Sequence, residues 1–262
     1  MKSPLRYPGG KTRACKKLDE ILIQHFQLPH VKTVISPFFG GGSFEFYLHE
    51  KYKFPIMAND KFQPLYNFWT NVKHNQSILY TNLKAVQSVS KGQFNEFRTA
   101  IMTEKNSILQ AEYYFIINRC SFNGATLSGG FSEEASRKRF TQSSVERIKE
   151  MDMAGTDFFN LDFSDFMDQT ADVSKALMFL DPPYYLEKGS KLYGDGGDMH
   201  ELFDHQKLFQ ILKGRTNWIL TYNNCEYIRY LYKGFHIIPV QWSYSMNKSK
   251  QSSEIVIVCP KS

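Results

Sequence analysis

The sequence is poor in the features that mark several protein classes. Cysteine is scarce: 262 residues hold Cys15, Cys120, Cys225 and Cys259, far apart and in no Cys-x-x-Cys pair. That argues against a disulfide framework and predicts reduced thiols in an intracellular protein. No His-x-x-x-His pattern accompanies them, so no zinc or other metal is expected. Long apolar runs are missing too. The longest, such as Ala176–Leu180 and Ile255–Cys259, have the length of a strand, so neither a membrane span nor a membrane partner is expected. The opening Met-Lys-Ser-Pro-Leu-Arg leads into no apolar stretch of the kind a secretory signal needs, which predicts a cytoplasmic protein. Internal repeats and low-complexity linkers are absent. With 42% hydrophobic residues the chain reads as globular, long enough for one large domain or a domain carrying an insertion.

Charge is present in both signs but unevenly placed. The net charge is +6. Residues 1–20 hold Lys2, Arg6, Lys11, Arg13, Lys16 and Lys17 against Asp19 and Glu20, whereas 151–181 holds seven aspartates against Lys175. A polyanionic partner is compatible with this balance, and so is an ordinary solvated surface.

Short β-branched and aromatic runs recur at Lys32–Ser36, Pro55–Asn59, Asp157–Leu161, Ala176–Leu180, Trp218–Tyr222, His236–Val240 and Glu254–Cys259. Most end at Gly, Pro, Asn or Asp, as buried strands do. Helical periodicity at Lys11–Phe26, Ser43–Glu50 and Asp204–Leu212 lies between them. The alternation predicts an α/β fold with crossover helices on a mainly parallel sheet. Between Asn59 and Thr156 the pattern turns helical, at Pro64–Asn75, Ser77–Val89, Phe94–Met102, Leu109–Asn118 and Ser143–Met151. Residues 1–64 and 151–262 are therefore expected to form one α/β domain, and 65–150 a mostly helical insertion with a Gly/Ser/Asn-rich loop at Ser121–Phe131 and a basic stretch Arg137-Lys138-Arg139.

Two motifs carry chemistry. Pro37-Phe38-Phe39-Gly40-Gly41-Gly42-Ser43 follows the first strand, and Asp60 ends the second, 18 residues after Gly42. Glycines there allow close backbone approach to a ligand, and a strand-end carboxylate can accept ribose hydroxyls. The order is Phe-x-Gly-x-Gly, which suits a cofactor with a ribose but no pyrophosphate. The second motif, Asp181-Pro182-Pro183-Tyr184, follows the most continuously apolar strand. A carboxylate and a proline carbonyl can accept both N–H groups of an exocyclic amine while the tyrosine ring stacks on a flat base. Gly9-Gly10-Lys11-Thr12 suggests a phosphate loop, but the glycine a Walker motif needs five positions before Gly10 is Leu5.

Taken in order, these motifs resemble those of the Dam-like (alpha group) DNA adenine-N6 methyltransferases across nearly the whole chain. Leu5–Lys11 resembles that family's N-terminal cofactor motif, Phe38–Gly42 its Phe-x-Gly-x-Gly, Asn59-Asp60 its acidic strand end, and Asn118–Gly124 its Asn-Arg…Phe-Asn-Gly segment. Asp162-Phe163 resembles its Asp-Phe pair and Asp181–Tyr184 its Asp-Pro-Pro-Tyr box. The resemblance implies a Rossmann-like fold with a helical target-recognition insertion, S-adenosylmethionine as methyl donor, and transfer to the N6 of an adenine flipped out of double-stranded DNA. Tyr7 and Lys11 would hold the donor's methionine end, Phe38, Gly40 and Gly42 its turn, Asp60 its ribose, and Asp162 and Phe163 its adenine. Asp181, Pro182 and Tyr184 would act on the target base, and Asp181 would also be among the residues that hold the donor. Arg119, Asn123, Arg137, Lys138 and Arg139 would face DNA. A cognate restriction endonuclease is compatible with the family. Where many relatives continue Phe-Asn-Gly with Leu-Tyr-Arg, this chain has Ala125–Gly130, so no target sequence carries over. An RNA substrate, cytosine N4 (where Ser more often opens the box) and an idle DNA-binding module remain as alternatives. The loops 185–200 and 243–253 are candidates to cover the base; His200 and His205 read as helix caps or packing residues.

Overall fold

Strands in this chain form where β-branched and aromatic residues run without interruption, and helices where apolar residues recur every three to four. In a computed structural model, residues 1–185, 203–242 and 252–260 are described. Residues 186–202, 243–251 and 261–262, among them His200, Lys248 and Lys250, lie outside the described residues.

Seven strands form one sheet: β1 (Thr33–Ser36), β2 (Ile56–Asn59), β3 (Thr156–Phe159), β4 (Ala176–Leu180), β5 (Trp218–Asn223), β6 (His236–Trp242) and β7 (Ser252–Cys259). Their order is β3-β2-β1-β4-β5-β7-β6. The first five are parallel, and β7 runs antiparallel to both β5 and β6. Each expected strand is present within a residue or two at most ends, and the α/β class is the one anticipated.

Helices α1 (Cys15–His25) and α2 (Ser43–Tyr52) cover one face of the sheet, where Leu18, Leu22, Phe44 and Leu48 meet Val34, Phe179, Ile219 and Val256. On the other face, α9 (Phe163–Gln169), α10 (His205–Lys213) and α11 (Glu226–Leu231) bring Phe166, Leu208 and Ile228 against Ile35, Leu180, Leu220 and Ile257. Neighbours such as Ile219 and Leu220 thus serve opposite cores, which is why the strands read as continuous apolar runs rather than alternating ones.

Between β2 and β3 come α3 (Gln63–His74), α4 (Gln76–Ala85), α5 (Lys91–Ala100), α6 (Ser107–Cys120), α7 (Glu133–Lys138) and α8 (Gln142–Lys149). Ser90 and Thr141 cap α5 and α8 with reciprocal capping boxes, fixing where each helix starts. α3 belongs to the sheet layer as much as to this helical stretch. Trp69 stacks on Phe158 of β3, and its Nε1 donates 2.9 Å to the Gly40 carbonyl in the turn after β1. Among the described residues, no helix is long and apolar enough to cross a membrane.

The sheet order reverses between β1 and β4. Chains leaving the carboxyl ends of these neighbours part to opposite faces, and the crevice opened there is where such sheets hold ligands.

Candidate active site

The turn after β1 is shaped by glycine at two positions. Gly40 has φ +51°, and a Cβ on it would press within 2.8 Å of the Tyr7 ring. Gly42, at φ +64°, starts α2, and a side chain there would collide with Phe39 and Phe46. Only glycine fits both places without strain.

Asp60 follows β2 and ties that turn to the second strand. It accepts from the Gly40 N–H at 3.0 Å and from the Phe62 N–H at 2.9 Å. Burial, only partly offset by these two bonds, pushes its carboxyl up to about 6. Asp162 behaves oppositely. Burial acts against ionisation, but Lys61 at 2.9 Å and the Ser164 hydroxyl and amide hold its pKa below the usual carboxylate value. It caps α9 through the Ser164 N–H. Phe38, Phe163 and Phe203 pack in a triangle with ring centroids 5.1–5.6 Å apart.

Asp181 leaves β4 and is held from two sides. Lys11 Nζ, buried in the one-turn helix Lys11–Arg13, lies 2.8 Å from its carboxylate oxygens, and Thr221 Oγ1 of β5 donates to Oδ1 at 2.5 Å. The same ammonium lies 5.1 Å from the Tyr184 ring centroid. The Tyr184 hydroxyl in turn donates to Glu254 Oε2 at 2.5 Å. Among the described residues the Pro182 carbonyl accepts no hydrogen bond.

Most of these groups open on one cavity of about 920 Å³; Thr221, Ser164 and Glu254 stand behind its lining. Tyr7, Lys11, Phe38, Gly40, Gly42, Asp60, Asp162, Phe163, Asp181, Pro182 and Tyr184 line it together, although they are scattered over nearly 180 residues of sequence. Ala125, Thr126 and Leu127 of the loop after α6 also line it.

The residues expected to meet DNA are less uniform. Asn123 sits in that loop with φ +56°, beside Phe122, which is 63% exposed. Arg137 and Lys138 are exposed on α7 and pair one turn back with Glu133 and Glu134. Arg139 is exposed. Arg119 is not on the surface: it is buried, Nε donating to the Arg139 carbonyl at 2.6 Å and Nη1 to the Pro4 carbonyl at 3.2 Å. Its geometry is that of a brace, where a phosphate contact was expected. His205 is a packing residue, bonded through Nδ1 to the Tyr222 hydroxyl at 2.7 Å.

Sequence reasoning missed Thr221, Glu254 and Glu45. Thr221 gives no signal in a strand of ordinary β-formers. Glu254 does: it is a charge placed at the head of Ile-Val-Ile-Val.

A parallel sheet with this reversal, a glycine turn after its first strand and a carboxylate–proline box after its fourth belong to the Rossmann-like S-adenosylmethionine-dependent methyltransferases. The comparison with known proteins is more specific. A model of the D12 class N6 adenine-specific DNA methyltransferases matches residues 7–246, and the chain belongs to that family. It is an enzyme that methylates the N6 of adenine in DNA; a S-adenosylmethionine donor and extrusion of the target base are general in the family. It is also similar to the Type II methyltransferase M.MjaIII of Methanocaldococcus jannaschii, at 23% identity over 90% of this chain and 89% of that protein.

Proposed function

We propose that this cavity binds S-adenosylmethionine beside a flipped adenine and that the matched residues divide the work between them. The observation that carries this reading is the convergence of Lys11 and Thr221 on Asp181 in the lining of a cavity that the Gly40–Gly42 turn also lines. The residues present suit the cofactor. A carboxylate at a strand end, Asp60, faces the position of a ribose diol, and an aromatic cluster with Asp162 suits an adenine edge. Tyr7 and Lys11 lie where an amino acid end would reach.

S-adenosylmethionine, when bound, supplies an electrophilic methyl group on a sulfonium. The protein's part is to present the amine. Asp181 and the Pro182 carbonyl accept from the two N–H groups of the adenine N6, drawing its lone pair out of the ring, while Tyr184 stacks on the base. Methylated N6 is strongly acidic, so Asp181 need not be a strong base to let the proton leave. Extruding the base costs a few kcal/mol of stacking and pairing, offset by this pocket.

Residues 65–150 serve target recognition in this reading, with Asn123 and Phe122 in the loop whose Ala125–Leu127 line the cavity. Phosphate contacts come from Arg139 together with Arg147; Arg6 is turned inward, its Nη1 donating to the Arg119 and Ser121 carbonyls at 3.4 and 3.1 Å. Neither Arg139 nor Arg147 forms an ion pair among the described residues, and both, like Arg6, lie close enough to Arg119 to disfavour its charge; burial first, then these neighbours, lowers the Arg119 pKa to about 9. Arg137 and Lys138 act more weakly because Glu133 and Glu134 already engage them. An intracellular setting and pairing with a restriction endonuclease fit the Type II designation of the archaeal relative.

The test is to incubate the protein with labelled S-adenosylmethionine and unmodified DNA, with RNA in parallel, and identify the methylated nucleoside. N6-methyladenine from DNA is expected, lost in Asp181→Ala while part of the cofactor binding survives. Full activity of Asp181→Ala, or label in RNA alone, overturns the assignment.

A further inference from the structure

Glu254 is an unusual residue for its position. It stands in β7, between β5 and β6, with only 2% of its surface exposed. The residues after it are apolar and serve both cores, Val256 on the α1–α2 side and Ile255 and Ile257 on the other. A carboxylate so placed costs stability unless it is partnered, and a well-packed apolar residue would serve the fold at least as well. A partner exists, and it lies in the Asp-Pro-Pro-Tyr box: the Tyr184 hydroxyl, 70 residues away in sequence, donates to Oε2 at 2.5 Å.

The register makes this one of three grips on the same segment. Glu254 lies opposite Asn223 of β5, and Thr221 lies two residues earlier on that strand, so all three share one face of the sheet. Thr221 holds the Asp181 carboxylate, Asn223 Nδ2 donates 2.8 Å to the Tyr185 carbonyl, and Glu254 holds the Tyr184 ring by its far end. The two backbone and carboxylate grips fix where the chain runs. Only the third fixes a ring.

We infer that Glu254 is a positioning residue for base stacking: it pins the para hydroxyl of Tyr184, setting the plane on which the extruded adenine comes to rest. This rests on the reading of Tyr184 as the stacking residue. A tyrosine ring held only by packing can tilt about its side-chain torsions, whereas a charge-assisted bond at its tip restrains it to one plane. The sulfonium methyl and the N6 lone pair must meet in line, so a tilt of the base is expressed directly in the rate.

A double-mutant cycle on the full chain tests this. Glu254→Leu is expected to lower kcat/KM for DNA by about ten- to a hundredfold, the range a lost charge-assisted hydrogen bond spans. Glu254→Gln, which still offers an acceptor, should lose less. Tyr184→Phe should lose about as much as Glu254→Leu. In the Tyr184→Phe background neither Glu254 substitution should cost anything further, and S-adenosylmethionine affinity by calorimetry should be unchanged throughout. With 2-aminopurine at the target position, emission from the extruded base should shift alike in Glu254→Leu and Tyr184→Phe. Equal losses from Glu254→Leu in both backgrounds would overturn the inference, as would full activity of Glu254→Leu. Should the leucine variant not fold, Glu254→Gln, with its unchanged shape, completes the same cycle. Failure of the wild-type protein to make N6-methyladenine would instead overturn the functional reading; methylation by the wild type without coupling overturns the positioning role alone.

Discussion

Glu45 lies in the first turn of α2, buried beneath the glycine turn, and accepts from Ser36 Oγ at 2.6 Å. Burial, reinforced by the nearby Asp181 charge and only partly offset by the Ser36 bond, pushes its carboxyl up to about 7. An unfolded glutamate titrates near 4.3. Across that interval the folded state binds the proton more tightly than the unfolded one. The protein's stability is therefore highest below the unfolded value, falls as pH rises toward 7, and is flat beyond it. The loss is roughly 3–4 kcal/mol, at 1.36 kcal/mol per pKa unit. Glu45→Gln keeps the shape and the Ser36 acceptor but cannot ionise. Urea unfolding should show it close to wild type at pH 4 and more stable by up to roughly 3–4 kcal/mol at pH 8. A difference that is the same at both pH values would contradict the burial argument. Asp60 is raised for the same reason, and both carboxyls belong to the lining of the cavity.

Elements were legible in this sequence to different depths. The strands were plain because the sheet is buried on both faces, and continuous runs such as Ala176–Leu180 have no other use in so short a span. α7, α9 and α11 were not, since six or seven residues give too few turns for a period to register. The motif residues of the cavity could be gathered by resemblance, yet Thr221 and Glu254 could not, because their partners stand 40 and 70 residues away and only strand order and register bring them together. Arg119 is a third case. Position in a motif suggested a surface role, while the fold places it at the carboxyl end of α6, joining that helix to the Pro4 and Arg139 carbonyls. Arg119→Met should therefore lower stability by about 1–3 kcal/mol, the cost of buried acceptors left without donors. The salt dependence of DNA binding by the folded protein should not change. Unfolding curves and DNA titrations at several salt concentrations separate the two roles. Intact stability with a reduced salt slope would return Arg119 to the DNA surface.

Over the whole molecule, the basic N-terminal segment touches both α6 and the cavity. The Arg6 N–H donates to Asn118 Oδ1 at 2.9 Å, and Asn118 Nδ2 donates back to the Arg6 carbonyl at 2.7 Å, clasping the chain against α6. One residue later Tyr7 enters the cavity, and Lys11 reaches Asp181. Residues 65–150 carry eleven Lys and Arg against seven Glu, so that stretch is basic on balance. Each phosphate neutralised releases condensed counterions, giving a slope of log K against log salt close to −0.9 per contact. Replacing Arg139 and Arg147 by alanine, singly, should each weaken binding about equally on specific and non-specific duplexes and reduce the salt slope by about one. Arg137→Ala and Lys138→Ala should reduce it less, because Glu133 and Glu134 already partly neutralise those two charges. A variant that loses affinity for one DNA sequence and not another would instead mark a residue reading bases, and the Arg139–Arg147 surface would then be part of target recognition rather than a sequence-blind grip on the backbone.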